Sequence, residues 1–205
     1  MEKVKVKKEQ GEIIFVEGLW GTGKTTFCKF LEKYYNFYFI QEPNYIKAGL
    51  IKKSKKFITN WYFKEHLKNL ILGFEMVENK KNVVIERSPV SNVAFAKTCF
   101  ENPFFYKNKF IVLQKLLLEM KNNSKTRPIF LFLTPKNIKL LSQHLRSSQN
   151  KYIQIYSDEN LLKKCDKNTL LFLRHFNKKK LIELITIKTD KFSTKNFQNV
   201  ISKIL

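Results

Sequence analysis

Arginine, cysteine, glycine and proline are all scarce in this chain of 205 residues. Three cysteines, Cys28, Cys99 and Cys165, form an odd number at wide spacing with no C-x-x-C pair. That excludes a disulfide framework and a cysteine-based zinc site, and it predicts reduced thiols. The three histidines, His66, His144 and His175, do not stand at metal-ligand spacing either. Six glycines and five prolines beside 43% hydrophobic residues exclude a collagenous or disordered composition and predict one compact domain over 1–205. No apolar run reaches membrane-spanning length. The basic leader, residues 1–10, is too polar for a secretory signal and carries lysine where a transit peptide would carry arginine. A cytoplasmic, reducing location without a membrane partner is the expectation.

Acidic residues are also few: 17 Asp and Glu stand against 39 Lys and Arg, a formal charge of +22. Such a balance attracts polyanions, nucleic acid among them. The basic residues are nearly all Lys, however, and lie scattered rather than gathered in a stripe. Asn, Ile and Phe are abundant too, the mixture an adenine- and thymine-rich coding sequence produces. Nucleic acid is therefore a disfavoured partner, since basic footprints are usually clustered.

What is present is an alternation of short apolar runs and amphipathic stretches. Glu12–Glu17, Phe37–Gln41, Val83–Ile85, Pro128–Leu133 and Leu184–Ile187 have the continuous apolar character of strands buried on both faces. Helical periodicity covers Thr26–Tyr35, Trp61–Glu78, Ser91–Phe100, Phe105–Lys121, Lys136–Leu145, a further stretch to about Phe176, and Asn196–Leu205. Residues 44–58 fit neither pattern. The fold this predicts is α/β, a five-stranded parallel sheet in three layers with helices on both faces. In such sheets ligands lie beyond the carboxyl ends of the strands.

Gly18-Leu19-Trp20-Gly21-Thr22-Gly23-Lys24-Thr25 matches Gly-x-x-x-x-Gly-Lys-Ser/Thr, with a strand before it and a helix after. This phosphate loop is the mark of P-loop NTPases. Gly18, Gly21 and Gly23 let backbone N–H groups, with those of Thr22 and Thr26, turn towards phosphate oxygens. The helix adds its positive end. Lys24 supplies a mobile cation, and the Thr25 hydroxyl can join a magnesium shell. ATP and Mg2+ are the implied cofactors. Asp166-Lys167-Asn168 is the wrong order for the guanine reader of a GTPase, and the third strand ends in Glu86-Arg87, a different device from the acidic end after four apolar residues of a motor or helicase.

Two strand ends complete the pattern: Glu42-Pro43 and Glu86-Arg87-Ser88. With the uninterrupted run from Glu17 to Thr26, they resemble the deoxynucleoside kinase family, whose motifs follow in the same order. The segment Pro89-Val90-Ser91, then Phe95-Ala96-Lys97 and Phe100-Glu101-Asn102, resembles the family's continuation. The resemblance implies ATP-dependent phosphorylation of a deoxynucleoside 5′-hydroxyl, with Glu42 as base, Arg87 holding it and the reacting oxygens, and Glu86 on magnesium. It implies a small-molecule partner and, as in family members, a homodimer. The plainer reading of Glu42 is a turn-capping carboxylate, and that of Glu86-Arg87 is a structural ion pair.

The chain also departs from the family. The lid, about residues 143–151, offers one arginine, Arg146, where several are usual, and Gln149-Asn150 stand where an acidic residue meets the sugar. The helix turn around Trp61 and Phe63 has no glutamine for the base edge. These two rings are candidates to stack on a base, although aromatic clusters on helices more often belong to the core. Asn92, six residues after Glu86, falls at another base-side position of the family. Thymidylate kinases share the fold and order but carry Asp-Arg-Tyr in place of Glu86-Arg87-Ser88, which tilts the resemblance towards a nucleoside acceptor. The similar Ser91-x-x-Ala94-Phe95 spacing keeps phosphorylation of dTMP as the alternative. A catalytically weak, kinase-like subunit that binds nucleotide or nucleic acid is the second alternative.

Overall fold

The computed structural model describes residues 11–124, 126–149, 151–189, 194–202 and 204. The basic leader, and Asn150 in the lid segment, lie outside the described residues.

Five strands, β1 (Ile13–Gly18), β2 (Tyr38–Ile40), β3 (Val83–Glu86), β4 (Ile129–Pro135) and β5 (Glu183–Thr189), form one sheet in the order β2-β3-β1-β4-β5. Every pairing is parallel. β1 therefore lies at the centre, with β3 on one side and β4 on the other. From β1 the chain passes first to the edge strand β2, returns to β3 between them, then crosses to β4 and β5 on the opposite side, which leaves a crevice at the carboxyl end of β1.

The apolar runs have their expected cause. Along β1, Ile13 and Phe15 enter one core with Phe130, Phe132, Val83 and Ile85, while Ile14 and Val16 enter the other with Leu131, Leu133 and Val84. Side chains alternate across a pleat, so a sheet covered on both faces needs apolar residues at every position. Helices α2 (Lys55–Glu78), α3 (Pro89–Cys99), α4 (Pro103–Asn123) and α7 (Glu159–Lys178) supply the first core. The second is covered by α1 (Lys24–Tyr35) and α8 (Thr194–Ile201), with Phe27 edge-on to Phe197 at 5.3 Å. A third cluster joins Leu19 of the phosphate loop to Leu141 and Leu145 of α5 (Ile138–Arg146) and Leu162 of α7. The three-layer α/β architecture is the one the sequence predicts.

Boundaries differ where caps decide them. α2 begins six residues before Trp61, because the Ser54 hydroxyl accepts from the Phe57 N–H at 3.2 Å and starts the helix there. The single helix expected between the lid and Phe176 is two: α6 (Lys151–Gln154) and α7, the latter started by the Asp158 carboxylate accepting from Leu161 N–H at 2.6 Å. α1 starts at Lys24 rather than Thr26, and α3 at Pro89, capped by Ser88.

Candidate active site

The phosphate loop joins β1 to α1, so its position follows from the most buried strand of the sheet. Gly21 and Gly23 have φ of 75° and 86°, the left-handed region where a side chain is strained. Gly23 caps α1 without a side-chain hydrogen bond, so the first-turn amides of Lys24, Thr25 and Thr26 face the loop with no intrahelical acceptor. The Lys24 ammonium and the Thr22 hydroxyl both donate to Leu19 O, at 2.7 and 2.8 Å. The loop is thus closed on itself around a buried cation. Burial, with the neighbouring Arg87 charge, lowers the Lys24 pKa to about 8, against the pull of Glu42, Glu86 and Glu17.

The ends of β2 and β3 bring in the acidic groups. Thr25 Oγ1 donates to Glu86 Oε1 at 2.5 Å, which sets a hydroxyl and a carboxylate side by side at the head of α1. An oxygen-only pair of this kind suits a hard divalent cation shared with substrate phosphates. Among the described residues no cluster of three or more His, Cys, Asp or Glu forms a complete protein cage for a metal. Arg87 Nε approaches Glu42 Oε1 to 2.9 Å, off the axis of a hydrogen bond and therefore as an ion pair.

Arg87 is unusual for a non-glycine residue, with φ at 65°. Glu17 explains how that conformation is held. Its carboxylate is buried within β1 and accepts from Ser88 N–H at 2.8 Å, from the Ser88 hydroxyl and from the Ser91 hydroxyl. Those bonds anchor the chain just after Arg87, whose own N–H donates to Val16 O at 3.0 Å, and Arg87 Nη1 donates to Ser91 Oγ at 3.3 Å. Burial raises the Glu17 pKa, with the two serine bonds and Arg87 opposing it. For Arg87 burial acts against the charge, but Glu42, Glu17 and Glu86 outweigh it and the pKa rises. Arg87 is therefore a permanent cation, and its Nη2 has no hydrogen-bond partner among the described residues.

Around this centre the aromatic residues divide. Trp61 is half-buried and meets Tyr62 edge-on at 5.1 Å. Phe63 sits in the main core with Phe15 and Leu70, which is the core role that aromatic helix residues usually take. Tyr62 stacks on His66 with centroids 5.8 Å apart. Burial, then Arg87, lowers the His66 pKa to about 3, so the ring is neutral, and its Nδ1 has no hydrogen-bond partner among the described residues. Asn92 is buried on α3, and its Oδ1 likewise has no hydrogen-bond partner among the described residues. Arg146 is exposed at the end of α5, with Lys139 and Lys151 exposed nearby in sequence.

The structure thus brings together Lys24, Thr25, Glu42, Glu86 and Arg87. Sequence reasoning assigned no role to Glu17, Ser88 or Ser91. The available signal was a lone carboxylate inside an apolar strand, since burying an acid demands partners.

The model of the family described as deoxynucleoside kinase matches residues 14–205. The chain belongs to the deoxynucleoside kinase family. It is accordingly a nucleoside or nucleotide kinase, a phosphotransferase. No curated protein sequence matches this kinase. Among solved structures it is similar to the deoxyadenosine kinase of M. mycoides with bound dATP, at 14% identity and a TM-score of 0.66, covering 94% of this chain and 98% of that one. It is also similar to the thymidylate kinase of Candida albicans, at 15% identity and a TM-score of 0.60, over 95% of this chain and 89% of that one. The YorR protein of Bacillus subtilis, in complex with phosphorylated GDP, follows at 15% identity and a TM-score of 0.54, over 94% and 95%. At these identities the likeness is one of fold, and this kinase shares its sheet and layers with all three.

Proposed function

We propose that this kinase transfers the γ-phosphate of ATP to the 5′-hydroxyl of a deoxynucleoside. The observation that carries the reading is the Arg87–Glu42 ion pair, 2.9 Å across and beside the Thr25–Glu86 pair. A lone structural ion pair would not explain a base candidate and a metal-ligand candidate converging on one phosphate loop. Family membership supports the same chemistry.

In this reading the amides of Gly18, Gly21, Thr22, Gly23, Thr25 and Thr26 cradle the phosphates, and Lys24 leaves Leu19 O to meet the outer ones. Thr25 and Glu86 would hold Mg2+, which neutralises charge on the phosphate oxygens when bound. Glu42 accepts the proton as the 5′-oxygen forms its bond to the γ-phosphorus and the bond to the bridging oxygen of the departing ADP breaks. The transition state is loose, so the base chiefly orients and receives. Arg87 keeps Glu42 in place and offers Nη2 to a reacting oxygen. Arg146 approaches the phosphates from the lid segment. Trp61 and Asn92 line the acceptor side, and Phe63 supports it from the core beneath α2. Free, widely spaced cysteines, of which Cys28 and Cys165 are buried, fit a reducing cytoplasm, and among the described residues no helix is long and apolar enough to cross a membrane.

The test is a panel of deoxynucleosides and their monophosphates with ATP and Mg2+, run with wild type, Lys24→Ala and Glu42→Gln. Wild type is expected to phosphorylate at least one deoxynucleoside. Lys24→Ala abolishes transfer and weakens ATP binding strongly. Glu42→Gln lowers transfer by about a hundredfold or more while ATP affinity stays within about threefold. Full activity in Glu42→Gln removes the base assignment. Transfer to dTMP alone makes the protein a thymidylate kinase, and transfer to none leaves a nucleotide-binding subunit.

A further inference from the structure

Trp20 lies inside the phosphate loop, between Gly18 and Gly21, at a position the motif leaves open. Its indole is nevertheless held from three directions. Tyr156, in the connector between α6 and α7, lies flat on it, with ring centroids 4.0 Å apart and planes within 3°. Phe95 of α3 meets it edge-on at 6.2 Å. The guanidinium carbon of Arg87 stands over the ring, 5.1 Å from its centroid.

Arg87 is a difficult side chain to place. It is 6% exposed, so water does little to stabilise its charge, and its backbone is left-handed. A guanidinium has five N–H donors in a planar fork and no acceptor. Fixing it with further hydrogen bonds would occupy the donors a reacting anion needs. An aromatic face attracts a cation through its quadrupole and accepts no N–H bond in doing so. Here Nη1 meets Ser91, Nε faces Glu42, and Nη2 has no hydrogen-bond partner among the described residues.

We propose that Trp20 is a positioning residue for Arg87. Its indole, wedged by Tyr156 and Phe95, holds the guanidinium against Glu42 and leaves Nη2 for an anionic oxygen of the transferring group. The inference rests on the role given to Arg87 above. It adds a physical link between the phosphate loop, the base and the connector before α7, none of which is joined by sequence.

Trp20→Phe keeps an aromatic face, whereas Trp20→Leu keeps only apolar bulk. Trp20→Leu is expected to lower kcat about tenfold with ATP affinity unchanged within about twofold, and Trp20→Phe to recover most of that loss. Tyr156→Leu, which removes the backing ring, falls between them. Wild-type kcat in Trp20→Leu overturns the proposal, as do equal losses in the two Trp20 variants. A fall in ATP affinity that matches the fall in kcat overturns it too, because Trp20 would then serve the phosphates and not Arg87. A second readout needs no turnover. With Trp61→Phe as background, Trp20 is the one remaining tryptophan. Adding Arg87→Gln should then change its emission intensity and wavelength, and an unchanged spectrum also overturns the clamp. Wild type inert towards every nucleoside and nucleotide would defeat the proposed function, while the emission experiment would still decide the contact.

Discussion

Lys24 sits 5% exposed beneath its own loop, its ammonium spent on a backbone carbonyl. A pKa lowered from 10.5 to about 8 has a definite sign. Below pH 8 the free protein carries the charge; above it the cation is lost. A bound triphosphate favours the charged form, so binding raises this pKa. ATP affinity should be level near pH 7 and weaken as pH rises through about 8. Binding at pH 8 should also take up a fraction of a proton, and binding at pH 6.5 almost none. Calorimetry in two buffers of different ionisation enthalpy measures that uptake, and equal apparent heats at pH 8 would count against it. The same shift opposes folding most below pH 8, and the opposition eases between 8 and 10.5. At this scale, motif spacing showed Lys24, Thr25, Glu42, Glu86 and Arg87 directly in the sequence. Glu17 and Trp20 were visible only as a carboxylate in an apolar run and an aromatic in a loop. Their partners, Ser88 and Ser91 for one and Tyr156 for the other, lie 71, 74 and 136 residues away.

Among the elements, α2 shows how a helix is brought close to the sheet. Gly73 stands mid-helix, where glycine costs about 1 kcal/mol relative to alanine. A Cβ there would lie 2.6 Å from Ile85 Cδ1 and 2.8 Å from Ile13 Cδ1. Both isoleucines are core residues of β3 and β1, so the missing side chain is what lets α2 rest on the strands beneath the site. Gly73→Val should destabilise the protein by about 2–3 kcal/mol through overpacking, outweighing any gain in helix propensity. A denaturant series would show a lower midpoint at constant slope, and an unchanged midpoint would contradict this account of the packing. Strand and helix identities were plain from apolar continuity and period. Their ends were not, because a cap such as Ser54 or Asp158 is one polar residue among many until the backbone brings an amide to it.

For the whole molecule, the +22 charge is the property least tied to the fold. Its exposed lysines are spread over most of the helices and the connecting turns, Lys52, Lys68, Lys107, Lys139 and Lys164 among them. A dispersed charge of this kind should bind DNA weakly and without sequence preference. Fluorescence anisotropy with a labelled duplex is expected to detect association at 50 mM salt that is lost by about 200 mM. Tight binding to one sequence that persisted there would favour the reading as a nucleic-acid-binding subunit.

The sequence by itself determined the architecture and the chemistry's main parts, because both depend on local order. Period and apolar continuity specify strands and helices, and a phosphate loop is eight consecutive residues whose amides need no distant help. Tertiary structure alone decided how Arg87 is held and what surrounds it. Its turn is braced from β1, its face is covered from the phosphate loop, and that cover is wedged from the connector before α7. Such contacts join residues far apart in the chain, and they exist only once the parallel sheet has brought its strand ends to one edge.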